Sequence, residues 1–203
     1  MYGGGEIGSV TENTNVTIAT ATLKDVYGAG KGTSGYNGSN ANIGGHTQVT
    51  VNSGTINDVY GGGENGTVRY AAGGASSDQL ASRVNLNGGL INYDVYGGGN
   101  QGTTQGRVIV NMTGGTVKNE VFGGARGTTN LVFVAGLKTV NMHGGIVYEH
   151  IYGGSRDAND GMSLNATSSN SSDVTTYTAF VNVSGGQLRG DVYGAGYFGT
   201  MFG

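Results

Sequence analysis

The chain has no cysteine, no proline and no tryptophan in 203 residues. Without cysteine there is no disulfide framework and no thiolate metal site. Charged residues make up 11%, against a usual ~25%. The net charge is −3, from 10 basic and 13 acidic residues, and no basic face is evident, so a nucleic-acid partner is not expected. No run of 18 apolar residues occurs, so no segment reads as a membrane-spanning helix. The opening MYGGGEIGSV lacks both the charged and the apolar region of a signal peptide. It starts inside a motif that recurs later, and we read residues 1–203 as one domain, a fragment of a longer repeat protein.

What the chain does have is glycine: 43 residues, about threefold the usual share. No Gly-X-Y period appears, so collagen is excluded. Apolar residues total 36% and are rich in Val, Ile and Leu, which argues against plain disorder. The glycines gather in runs opened by an aromatic residue, as in NDVYGGGENGT at 57–67, YDVYGGGNQGT at 93–103 and GDVYGAGYFGT at 190–200. The opening aromatics are Tyr2, Tyr27, Tyr60, Tyr96, Phe122, Tyr152 and Tyr193. A second motif precedes six of them: VTIATATL at 16–23, VTVNSGTI at 49–56, VNLNGGLI at 84–91, VNMTGGTV at 110–117, VNMHGGIV at 140–147 and VNVSGGQL at 181–188.

Aligned on these motifs, the chain shows four apolar columns, headed by Val16, Ile18, Leu23 and Val26 in the first repeat. The first two columns stand two residues apart with Thr17, Thr50, Asn85, Asn111, Asn141 or Asn182 between them, the inside-outside-inside pattern of a half-buried strand. Helical periodicity is absent and β-branched residues fill the apolar positions. The expected fold is therefore all-β: a right-handed parallel β-helix of about six to seven coils, roughly 30 Å tall at ~4.8 Å per coil. A sandwich of polyproline-II helices is a minor alternative that the apolar columns disfavour. The glycine runs are expected to supply stacked bends with φ > 0. The aromatics before them are expected to stack into a ladder of Tyr27, Tyr60, Tyr96, Phe122, Tyr152 and Tyr193.

Length varies in one stage of the repeat only, at roughly 31–48, 64–82, 100–107, 126–138 and 155–179. These inserts are polar and are expected as loops on one side of the rod, suited to recognition or to no function at all.

The candidate chemistry is sparse. Asp25, Asp58, Asp94, Glu120 and Asp191 form an acidic column that His150 interrupts. Two roles are open to it: accepting hydrogen bonds from turn N–H groups, or holding a column of calcium ions. Glu6, Lys31, Glu64, Asn100, Arg126, Arg156 and Tyr197, four residues after each aromatic, are read as register-setting contacts between neighbouring coils. Asp157, Asn159 and Asp160 in SRDANDGMS suggest a calcium loop, although the spacing misses the EF-hand pattern. Otherwise no cofactor is indicated. Thr33, Thr67, Thr103, Thr128 and Thr200 share a G-T step that a water-ordering array would use. His46, His143 and His150 fall in different repeats, and no nucleophile elbow or phosphate loop occurs.

The strings GGTV, GGLI and GGIV, each a few residues ahead of a VYGGG-like run, carry a resemblance. The chain resembles the Gly- and Asn-rich right-handed β-helix repeats of large bacterial surface proteins, including autotransporter passenger domains and polymorphic outer-membrane adhesins. It departs from the version that carries an FxxN motif. The resemblance implies a secreted or surface-attached protein with an adhesive or scaffolding role. On that reading the chain is a non-enzymatic, extracellular adhesin segment. Its partners are then a glycan or host-matrix surface, the neighbouring repeats of the parent chain and other copies end to end. Tyr36, Tyr70 and Tyr177, inside the inserts, are the expected residues for stacking on a sugar ring. The alternatives are a structural spacer and a polysaccharide-degrading enzyme or phage-type spike.

Overall fold

The computed structural model describes residues 1–33, 40–69, 79–128, 132–160 and 179–198, and among them there are strands, turns and bends but no helix. All strand pairings are parallel. Three sheets result, and the chain visits them in turn. We call one such circuit a pass.

The first sheet has six strands in sequence order: Thr14–Ile18, Thr47–Val51, Leu80–Leu86, Arg107–Met112, Lys138–Met142 and Ala179–Val183. Its register joins Val16, Val49, Val84, Val110, Val140 and Val181 in one row. Ile18, Val51, Leu86, Met112, Met142 and Val183 form the next row. Both rows are the apolar columns read from the sequence. A one-residue slip would turn every one of these side chains to the opposite face, so burial fixes the register.

The second sheet has ten strands and carries the third and fourth columns. In the first two passes one strand spans both columns, Thr22–Tyr27 and then Thr55–Tyr60. From the third pass onward it splits, as in Leu90–Ile91 and Val95–Tyr96. The cause lies in the spacing. Ile56 and Val59 are separated by two residues, Ile91 and Val95 by three. The extra residue is taken up in a bend at Asn92 and Tyr93, which interrupts the strand.

The third sheet was not foreseen. Its strands are Val68–Arg69, Thr104–Gln105, Phe133–Val134 and Asn159–Asp160, all inside segments read as inserts. Isolated bridges extend its row to Ile43 and Val10. The segments outside the described residues therefore do not all leave at one stage. Segments 34–39 and 129–131 precede Ile43 and Phe133–Val134, whereas 70–78 and 161–178 follow Val68–Arg69 and Asn159–Asp160.

The main core lies between the first two sheets, with Val84, Leu86, Ile91 and Val95 fully buried in it. Two smaller clusters sit against the third sheet, one around Ala29, Ile43, Val68 and Ala81 and one around Val108, Ala125, Val132, Val134 and Ala158.

The glycine runs correct the expectation placed on them. Positive φ occurs instead at Gly54, Gly89, Gly115, Gly145 and Gly186, in the corner between the first and second sheets, with Gly32 and Gly106 elsewhere, and at none of the described glycines in the three positions directly after a ladder aromatic. What the runs require is close approach. A Cβ on Gly28, Gly61, Gly97 or Gly123 would be driven into the carbonyl oxygen of the equivalent glycine one pass on. A Cβ on Gly62 would meet Thr104 Oγ1 at 3.0 Å, and one on Gly98 would meet Val134 Cγ2 at 3.0 Å. The second glycine of the run is thus the seat for the third sheet.

Candidate functional site

The aromatic ladder is the chemically richest feature. Val or Ile stands directly before each ladder aromatic from Tyr27 to Tyr193, so the two face opposite ways, and both are buried in every pass but the last. The valines join the main core, and the rings form a separate cluster of Tyr27, Tyr60, Tyr96, Phe122 and Tyr152. Successive rings from Tyr2 to Tyr193 stack with centroids 4.8–4.9 Å apart and planes within 10°. The spacing is that of adjacent strands, so the sheet sets the ring separation.

The acidic column flanks the ladder, and hydrogen bonding explains its composition. Asp58 Oδ1 accepts the Asp94 N–H at 2.9 Å and Asp94 Oδ1 accepts the Glu120 N–H at 3.1 Å. His150, which breaks the acidic pattern, accepts the Asp191 N–H on Nδ1 at 2.9 Å. The position needs an acceptor for the next pass and does not need a charge. Asp94 is the most heavily used of these groups. Its carboxylate also takes hydrogen bonds from Asn119 Nδ2 at 2.6 Å, Tyr96 Oη at 3.0 Å and Arg156 Nη1 at 3.1 Å. Glu120 lies 3.7 Å from the same guanidinium.

The residues four after each aromatic behave differently from expectation. Lys31 and Glu6 do pair across neighbouring passes, at 2.9 Å. The later members reach two passes back, to the tyrosine hydroxyls. The Tyr2 hydroxyl donates to Glu64 and Arg126 Nη1 donates to Tyr60 Oη at 3.2 Å, while Asn100 and Arg156 come near enough to the Tyr27 and Tyr96 hydroxyls to oppose the rise in their pKa. The one ring without a hydroxyl is Phe122, and two passes on from it the position holds Tyr197, which packs edge-on against Tyr152 at 5.6 Å. Polarity at this position follows the hydroxyl it must meet, a correlation already present in the sequence.

Burial dominates the titration of the network. It raises the Asp58 carboxyl to about 6, with Asp94 and Asp25 adding to the rise and the Asp94 N–H and Arg126 opposing it. Glu120 is raised by burial and by Asp94, with Arg156 opposing. Tyr27 is pushed up to about 12 by burial, and Tyr60 and Tyr96 are raised for the same reason. Chemically the network is a set of compensated hydrogen bonds that tie each pass to the next and to the one beyond.

Two further ladders were not anticipated. The polar positions of the first sheet form an amide chain, in which Nδ2 of Asn111 donates to Asn85 at 3.0 Å, Asn141 to Asn111 at 3.0 Å and Asn182 to Asn141 at 2.8 Å. Inside, the hydroxyls of Thr14 and Thr47 donate to the carbonyls of Gly28 at 2.6 Å and Gly61 at 2.5 Å, and Ser82 does the same to Gly97. Thr14, Thr47 and Ser82 share one row with Val108, Lys138 and Ala179, so the hydroxyl pattern fades along the sheet.

Of the residues singled out for binding, Tyr36, Tyr70 and Tyr177 lie outside the described residues. Asp157 has φ of 51° and its carboxylate lies 3.7 Å from Arg156 Nε. Asn159 and Asp160 are extended and pair with Phe133 and Val134. Among the described residues no group of three or more His, Cys, Asp or Glu is placed to hold a metal ion. Of the G-T threonines, Thr67 is buried while Thr33 and Thr128 are exposed, so the described members do not form one flat surface. No described helix is long and apolar enough to cross a membrane. Set against protein-family models, curated proteins and solved structures, the chain matches none of them.

Proposed function

We propose that the chain is a non-enzymatic segment of a bacterial cell-surface adhesin, built as a right-handed parallel β-helix that holds its variable segments out for a glycan or host surface. The right hand rests on the strong preference of parallel crossovers. One observation carries the reading. The framework is repetitive and its polar groups along the ladder are matched to one another, while the segments 34–39, 70–78, 129–131 and 161–178, which differ in length and sequence, all join it beside the third sheet. A fixed scaffold with variation confined to one flank suits recognition. Tyr36, Tyr70 and Tyr177 are the proposed sugar-stacking residues. The test is binding to a broad glycan and extracellular-matrix array, with a variant in which residues 161–178 are replaced by a short Asn-Gly turn. Selective binding that the variant loses supports the proposal. No binding by a well-folded wild-type segment makes it a spacer.

A further inference from the structure

The outer face of the first sheet differs in charge from the rest of the molecule. None of its six strands carries an Asp or Glu, although the chain has 13 acidic residues against 10 basic. Two arginines stand on this face. Arg83 and Asn85 alternate with the buried Ser82, Val84 and Leu86, and Arg107, Ile109 and Asn111 alternate with Val108, Val110 and Met112. Arg83 is in register with Ile109, while Arg107 is opposite Leu80 across a register shift between Arg107 and Val108, so the two arginines stand on neighbouring strands. The Asn85–Asn111–Asn141–Asn182 amide chain runs along the same face.

Neither guanidinium makes an ion pair among the described residues, whereas Arg156 meets three carboxylates. The Nε atoms of Arg83 and Arg107 are buried and have no hydrogen-bond partner. Gln79, whose carbonyl accepts the Arg107 N–H at 2.7 Å, has a buried Oε1 that is likewise unpaired. A buried donor without an acceptor is costly, so such groups call for an explanation. What stands out here is two cationic side chains on strands that carry no carboxylate to meet them.

We propose that the outer face of the first sheet, centred on Arg83 and Arg107, binds an anionic polysaccharide. Its carboxylate or sulfate groups accept from the partly exposed guanidiniums of Arg83 and Arg107, and the outward amides of the asparagine row give further contacts along the chain. A neutral glycan would leave the arginines without a counter-charge, and a small anion would leave the asparagine row unused. The proposal rests on the reading of the protein as a glycan-binding surface segment, but it places a site on the framework, apart from the variable segments.

The probes are polygalacturonate for carboxylate, dextran sulfate for sulfate and neutral dextran as control. They are tested against the full chain, Arg83→Gln/Arg107→Gln, Thr139→Glu and a replacement of residues 161–178 by a short Asn-Gly turn. Thr139 pairs with Ile109 on the same face, so its substitution brings a negative charge to the site without touching the arginines. We expect the wild type to bind one or both anionic chains and not neutral dextran, with affinity falling as salt rises. We expect the double arginine variant and Thr139→Glu each to lose at least tenfold, and the 161–178 replacement to bind unchanged. The double variant is checked for an unaltered unfolding transition. Wild-type chain that ignores both anionic probes, or equal binding by the arginine variant, overturns this proposal while leaving a loop-borne site standing. Loss on loop replacement alone also overturns it. Loss in the arginine variant alone supports it, and an array signal that survives loop replacement overturns the loop site.

Discussion

The third and last passes spell nearly the same words. Residues 94–98 read DVYGG and residues 191–195 read DVYGA. In the first of these Val95 and Tyr96 are both 0% exposed, and in the second Val192 and Tyr193 are 47% and 43% exposed. A Cβ on Gly97 would be forced into the Gly123 carbonyl, while one on Gly194 meets nothing within 4 Å. The motif encodes one layer, and neighbours on both sides turn that layer into buried area. This is the energetics of a stacked repeat, where most of the stabilisation belongs to interfaces between units.

The comparison can be broken most forcefully at the glycines. Gly61→Ala should destabilise by more than the ~1–3 kcal/mol usual for overpacking, because the clash is with backbone that cannot rotate away. Gly194→Ala should stay within ~0.5 kcal/mol. Urea unfolding of the two variants measures the contrast, and equal losses would contradict the layered account. Next in size is the ladder. Tyr96→Ala should cost about 3–5 kcal/mol and Tyr193→Ala about 1 kcal/mol, read as shifts in unfolding midpoint.

A smaller effect separates charge from hydrogen bonding. Asp58 has a folded-state pKa raised to about 6, above its ordinary value near 3.8. The folded state holds this proton more tightly than the unfolded chain, so the contribution of Asp58 to stability is greatest at low pH and is lost as pH rises from about 4 to 6. Asp58→Asn keeps an acceptor for the Asp94 N–H without the buried charge. It should raise the melting temperature at pH 7 and flatten that part of the pH profile, as thermal scans between pH 4 and 7 will show. Smallest of all is Lys31→Ala. The Lys31–Glu6 pair is solvent-exposed, and its removal should leave the unfolding curve unchanged within error.

Much of this architecture can be read from the sequence, for a physical reason. Each position of the four apolar columns faces the core in every pass, so the same residue types recur and the register follows. The ladder is legible because Tyr or Phe recurs beside valine every time. The third sheet is not legible. Its strands VR, TQ, FV and ND share no pattern, are two residues long and lie among segments of unequal length. The contacts from Glu64, Asn100, Arg126 and Arg156 to hydroxyls two passes back were hidden by the assumption that long side chains meet their nearest neighbours. The absence of a tyrosine hydroxyl at Phe122, matched by Tyr197, was the signal available. The role of the glycine runs was misjudged because glycine serves two needs, positive φ and close approach, and composition does not distinguish them. The unpaired Nε atoms of Arg83 and Arg107 depend on burial and could not be seen at all from residue types.

The central claim is that passes stack in parallel and in register, one sequence repeat per layer. The chain contains no cysteine, so an introduced pair reports without background. Asn111 and Asn141 are register partners on adjacent strands, and Asn182 is the partner of Asn141 one strand further on. Asn111→Cys with Asn141→Cys places two thiols at ~4.8 Å strand spacing, within disulfide reach, while Asn111→Cys with Asn182→Cys doubles that separation. Oxidation followed by intact-mass and peptide mapping should show an intramolecular crosslink in the first pair and none in the second. A crosslink in the second pair, or no crosslink in the first by disulfide or by a short dithiol-reactive linker, would contradict the account.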